Sequence, residues 1–212
     1  MKKSNSWIVE VVFFGSVWGI LEASLGYVLH FLPTLLSGTV MFAIASFLLY
    51  RAYRRTQSKT ALFTIGVIAA AIKALDFFLP AHPVYGYVKV INPMFCIVVE
   101  ALVLAVLLPV LVQKKSLPSL AVLPGASILW RGMFIFYLIF QDAVFGTVST
   151  QLSSVSSGFT FVVWQGLISG GLALVLYGIN LGLEKALKTK IVVRPVLAAL
   201  TFVVAVVITL FI

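Results

Sequence analysis

The chain has 212 residues, of which 62% are hydrophobic and 10% are charged, and it carries a net charge of +9. Water-soluble domains are roughly half apolar and about a quarter charged. This composition therefore excludes an ordinary soluble domain and indicates an all-α integral membrane protein. The single cysteine, Cys96, excludes a disulfide framework. The basic residues cluster at the ends of apolar runs, which suits a lipid surface and not nucleic acid.

The first apolar run covers residues 7–31 and follows Met1-Lys2-Lys3. It imitates a secretory leader but is too long for one, contains Glu10 and Glu22, and closes without a small-residue cleavage site. It reads as a retained helix. Crossing a bilayer takes about 20 apolar residues, and further runs of suitable character occupy 34–50, 60–79, 88–112, 118–140, 158–182 and 192–212. The second is short, and Pro118 and Pro124 make the start of the fifth irregular.

Alternating spans put Lys2, Lys3, Arg51, Arg54, Arg55, Lys59, Lys114, Lys115, Lys185, Lys188, Lys190 and Arg194 on one side. The opposite loops, 31–33, 80–87 and 141–157, hold no Lys or Arg. The positive-inside rule then sets the N-terminus in the cytoplasm of a multi-pass protein of the cell membrane. The last run has no charge beyond Arg194 at its edge and is rich in Val, Ala and Leu. The expected division is a six-helix transmembrane substrate-binding core over 1–189 and a peripheral C-terminal helix over 190–212. The halves show no repeat, and the chain has no Walker A motif and no dinucleotide fingerprint.

Ionisable residues inside membrane spans are costly and tend to face a bundle interior or a wet cavity. Here they are Glu22, Lys73, Asp76, Glu100 and Arg131, joined by Asn92 and Gln165. All fall in the half of the bundle away from the basic loops, above inner halves that read as almost purely apolar. Lys73 and Asp76 are three apart and can touch; Asn92, Cys96 and Glu100 form one stripe at four-residue spacing; Trp18 stands four residues before Glu22. Trp130 adjoins Arg131 and Trp164 adjoins Gln165. Two readings are open: the charges pair internally as structural glue, or they line a cavity open to the outside. The cavity explains why they gather in one leaflet.

Under that reading the substrate contacts are Glu22, Trp18, Lys73, Asp76, Asn92, Glu100, Arg131, Trp164 and Gln165, with the two tryptophans as stacking surface. Mixed charges suit a zwitterionic or heteroaromatic solute better than a bare ion. The outer loops, with Pro80, Pro83 and Pro93 in one and many Ser, Thr and Gly in another, could cover such a pocket. His30 and His82 read as loop residues; without ligand spacing they make no metal site, and no cofactor is expected. The chain lacks H-E-x-x-H, G-x-S-x-G and a Ser, His and Asp set in plausible order, so no enzyme activity is expected. An intramembrane enzyme with Glu22 or Glu100 as base, an assembly factor, and a stand-alone small permease or channel remain alternatives.

Gly15, Gly19 and Ala23 recur every fourth residue on the first helix. Such a stripe lets another helix approach closely, either within the chain or from a partner. With this stripe, six core helices, both core ends inside and a polar pocket under external loops, residues 1–189 resemble the substrate-specific (S) components of energy-coupling factor (ECF) transporters. The resemblance implies capture of a vitamin-like micronutrient on the outer side. It also implies a coupling transmembrane subunit and cytoplasmic ATPases as partners. In that family the first helix docks on the coupling subunit through an Ala-x-x-x-Ala motif, whose place Gly15, Gly19 and Ala23 would hold with glycines for alanines. The Met-His start of the nickel and cobalt branch is absent, since the chain begins Met1-Lys2.

Overall fold

The computed structural model describes residues 2–29, 34–80, 86–114, 117–146, 149–186 and 193–211. His30, His82, Lys115, Lys188 and Lys190 lie outside the described residues, as do most of the loops 31–33 and 80–87. The described chain is helical throughout, as long apolar segments must be where only internal hydrogen bonds can satisfy the backbone. The helices are α1 (Lys2–Leu29), α2 (Thr34–Thr56), α3 (Lys59–Lys73), α4 (Val88–Lys114), α5 (Val122–Phe145), α6 (Val155–Phe159), α7 (Gln165–Ala186) and α8 (Pro195–Phe211). Short 3-10 turns extend α3 over Ala74–Phe78 and precede α5 over Leu117–Ala121. A π-helical turn, Thr160–Trp164, fuses α6 to α7.

Five stretches are long and apolar enough to cross a membrane: Trp7–Gly26, Lys59–Phe78, Val88–Gln113, Ser119–Phe145 and Val155–Gly182. This is the make-up of a multi-pass membrane protein. The second segment runs six residues beyond its expected end at 50, because its last turns carry Arg51, Arg54 and Arg55 on an otherwise continuous helix. Local chemistry marks the ends. Ser58 caps α3 by accepting from the Ala61 N–H at 3.2 Å. Gly146 closes α5 at φ 64°, in the left-handed region glycine tolerates. Proline opens α8 and sits in the first turn of α5, where a missing N–H costs little.

Packing follows a ring in which α1 touches α2, α2 touches α7, α7 touches α5, α5 touches α4, α4 touches α3, and α3 returns to α1. α2 also contacts α3 and α4 across the ring. α8 lies outside it, against α1 and the end of α3. Only Ala198, Ala205 and Thr209 of α8 are buried. The ring centre is filled by side chains such as Phe42, Leu49, Ile65, Leu104 and Leu108, all fully buried.

Glycines set the closest approaches. A Cβ at Gly66 would stand 2.1 Å from the Ala101 Cβ, so α3 and α4 touch nearly backbone to backbone. A Cβ at Gly170 would meet Pro124 of α5 at 2.3 Å. The stripe on α1 works in the same way. Cβ atoms at Gly15 and Gly19 would come within 2.7 Å of Ile68 and 2.8 Å of Ile72. The face expected to receive a coupling subunit is thus taken, at these two glycines, by the chain's own α3; Ala23, nearer the helix end, is half-buried.

Candidate functional site

The half of the bundle away from Arg51, Arg54 and Arg55 collects polar side chains from six helices. On α1, Trp18 is fully buried and its Nε1 donates to Glu22 Oε1 at 3.2 Å, the contact expected from four-residue spacing. At the end of α3, Lys73 Nζ lies 2.6 Å from Asp76 Oδ2. This pair faces the cluster rim and remains partly exposed. Asn92, one turn into α4, accepts from the Tyr137 hydroxyl of α5 at 3.0 Å, which ties the rim of α4 to α5.

Deeper on α4, Cys96 and Glu100 point toward the ring centre. Glu100 is 3% exposed, and among the described residues it makes no hydrogen bond and no ion pair. Its carboxyl interacts electrostatically with both Glu22 of α1 and Arg131 of α5. Lys73 lies within the same electrostatic range of Glu22. Electrostatic interactions thus link Lys73 to Glu22, Glu22 to Glu100, and Glu100 to Arg131.

Arg131 is 0% exposed. Its guanidinium donates to Ser127 Oγ at 3.0 Å and to Thr39 Oγ1 of α2 at 3.3 Å. The Cζ stands 4.5 Å from the Trp130 ring centre and 5.5 Å from that of Phe161. Two rings and two hydroxyls hold the cation without a contacting carboxylate. Ser169 of α7 donates to the Thr39 carbonyl at 3.0 Å, so the same residue of α2 links α5 to α7. Gln165, one turn before Ser169, is 7% exposed. Three buried donors in this region have no partner among the described residues: Trp130 Nε1, Arg131 Nε and Gln165 Nε2. Buried polar atoms in folded proteins are nearly always paired, so such a group calls for a physical reason.

The structure thus brings Trp18, Glu22, Lys73, Asp76, Glu100 and Arg131 into one connected set, with Gln165 and Asn92 at its edges. It does not bring Trp164, which is 58% exposed on the outer face. The reason is helical phase. Consecutive helical residues point about 100° apart, and here Gln165 faces in while Trp164 faces out. Trp130 and Phe161 supply the aromatic surface instead, and Ser127, Thr39 and Ser169 supply hydroxyls. Trp130 is recognisable in sequence by its adjacency to Arg131. Phe161 stands four residues before Gln165, but a Phe in an apolar run carries no mark of its own. The set is also packed and not open: its central residues are almost wholly buried.

The opposite half differs from its expected dryness. Arg55 Nε pairs with Glu10 Oε1 of α1 at 3.2 Å, and Arg51 donates to the buried Asn180 of α7 at 2.9 Å. A small cavity there is lined by Ser46, Phe47, Tyr50, Leu111, Leu123, Ala173 and Tyr177. Leu49, Ile65 and Leu104 form a fully buried apolar layer within the core. No group of three or more His, Cys, Asp or Glu suited to a metal occurs among the described residues. Comparison with protein-family models, with curated proteins and with solved structures returns no match.

Proposed function

We propose that this chain is a membrane-embedded solute-capture subunit. It binds a small polar molecule in the buried cluster around Glu22, Glu100 and Arg131. Energy for uptake comes from partner ATPases, as in the substrate-specific components of ECF transporters. One observation carries the reading: three buried donors on α5 and α7, Trp130 Nε1, Arg131 Nε and Gln165 Nε2, have no partner among the described residues, in the half of the bundle that holds Glu22 and Glu100. Purely structural ion pairs would satisfy one another. Here Glu100 and Arg131 interact electrostatically without a hydrogen bond between them among the described residues, and the Arg131 Nε is left without a partner.

In this reading six helices form the binding core, α8 is an additional peripheral span, and the N-terminus faces the cytoplasm of the cell membrane. The solute enters from the other side, where α1 and α5 end and α2 and α4 begin. Because α3 covers Gly15 and Gly19, contact with a coupling subunit would use other surfaces. The experiment is retention: purify the intact protein in detergent, denature it, and identify released small molecules by mass spectrometry. A molecule present in proportion to protein, and lost with Glu100→Gln or Arg131→Lys, supports capture. Protein that carries nothing and retains nothing from cell extract contradicts it.

A stand-alone permease is the second reading, favoured by the polar belt of Glu10, Arg55, Arg51 and Asn180 at the other end. It predicts solute uptake into liposomes holding this chain alone. The intervening layer of Leu49, Ile65 and Leu104 weighs against it.

A further inference from the structure

We infer that the cluster takes a dipolar solute: its acidic or carbonyl end sits against Trp130, Arg131 and Gln165, and its basic nitrogen sits between Glu22 and Glu100. The inference rests on the solute-capture reading and adds the chemistry of the solute.

Within the cluster the unmet hydrogen-bonding capacity divides by type; two further buried atoms without a partner, Glu10 Oε2 and Ser46 Oγ, lie in the opposite half. The spare donors are Trp130 Nε1, Arg131 Nε and Gln165 Nε2, on α5 and α7. Each of these side chains is more than nine-tenths buried. The spare acceptors are on α1 and α4. Glu100 accepts no hydrogen bond among the described residues, and Glu22 accepts only from Trp18. An acceptor group on the solute would satisfy the first set. A protonated amine or similar nitrogen would satisfy the second.

Formal charge points the same way. Within the cluster itself there are three carboxylates, Glu22, Asp76 and Glu100, and two cations, Lys73 and Arg131. Lys73 and Asp76 neutralise each other at 2.6 Å. Arg131 offsets one of the two remaining acids, and one carboxylate is left over where an unpaired charge is costly. A basic nitrogen balances it. A purely anionic solute would add to the excess. A purely cationic one would leave three buried donors unmet. The fixed guanidinium, held by Ser127, Thr39 and two rings, gives the acidic end a preformed seat.

The test is equilibrium dialysis of the purified full-length protein against a defined equimolar mixture. The mixture holds four classes of small compounds: dipolar (amino acids and aminomethylbenzoates), purely anionic (benzoates and dicarboxylates), purely cationic (benzylamines and diamines) and uncharged (benzamides and sugars). Retained compounds are identified by mass spectrometry, and the unfolding midpoint is measured on the same samples. Retention confined to the dipolar class is expected. Glu100→Gln and Gln165→Leu should each weaken that retention by about tenfold or more. Glu10→Gln, in the opposite belt, should leave it unchanged. Folded wild-type protein that retains only anionic, only cationic or only uncharged compounds overturns the dipolar assignment and leaves solute capture standing; retention of only the last or the anionic class would mean that a proton balances the extra carboxylate. Folded wild-type protein that retains no class overturns both.

Discussion

At the scale of single residues, Arg131 and Glu10 make a useful contrast. Both are ionisable groups on helices, but Arg131 is fully buried with Glu100 as its nearby opposite charge, whereas the Arg55–Glu10 pair is partly exposed. Removing one member of a buried charged set leaves the other uncompensated, at a cost of about 3–5 kcal/mol. Arg131→Met should therefore lower unfolding stability by about 3 kcal/mol or more, with part of the loss recovered in the Arg131→Met, Glu100→Gln double variant. The Arg55–Glu10 pair is partly exposed, so Glu10→Gln should cost less than Arg131→Met, about 1 kcal/mol. Denaturant unfolding in detergent, followed by tryptophan fluorescence, measures all three. Equal losses for Arg131→Met and Glu10→Gln would contradict this assignment of roles. Much of this level was readable in advance. Trp18–Glu22 and Lys73–Asp76 follow from helical spacing alone. Thr39, Ser127, Ser169 and Phe161 were not readable, since ordinary Ser, Thr and Phe residues in apolar runs acquire significance only when helices distant in sequence meet.

At the scale of elements, glycine decides which helices touch. Gly66 lets α3 lie against Ala101 of α4, and the 2.1 Å that a Cβ there would leave must be relieved by moving a helix. Gly66→Ala should cost about 1–3 kcal/mol, as overpacking does. Gly171 of α7 meets nothing within 4 Å. Gly171→Ala should be neutral or stabilise by about 0.5 kcal/mol through helix propensity. Thermal unfolding midpoints of the two variants should move in different directions, and a shared loss would contradict the packing described. The stripe of Gly15, Gly19 and Ala23 shows the limit of reading such motifs. Spacing reveals a face built for close contact, but a helix of the same chain and a helix of a partner demand the same small residues. Only the fold shows that α3 fills it. The turn before Gln165 is a similar case: Phe161 and Gln165 stand four apart and share a face, but spacing does not say whether that face or the Trp164 face meets the core.

At the scale of the whole molecule, the account is one of polarity across the bilayer. Basic side chains gather at one end, and the charged cluster lies toward the other. The positive-inside reading predicts that Lys59 faces the cytoplasm and that the turn after α5 faces out. In a Cys96→Ala background on intact cells, Ser153→Cys should react with a membrane-impermeant thiol reagent, and Lys59→Cys should react only after lysis. The reverse pattern would invert the orientation. Composition made the membrane class the most legible feature at this level, because lipid imposes length and apolar character on every span alike. The expected dry inner half was legible only in part: Glu10 and Asn180 belong to it, and their partners Arg55 and Arg51 reach them from the helix end of α2.

The most direct test is a structure of the protein, in lipid, with its retained solute bound. Density for the solute should lie between Glu100 and Arg131, within hydrogen-bonding distance of Arg131 Nε and of a carboxylate oxygen of Glu22 or Glu100. Density elsewhere, as in the cavity beside Ser46, Tyr50 and Tyr177, with the charged cluster closed on itself, would contradict the account.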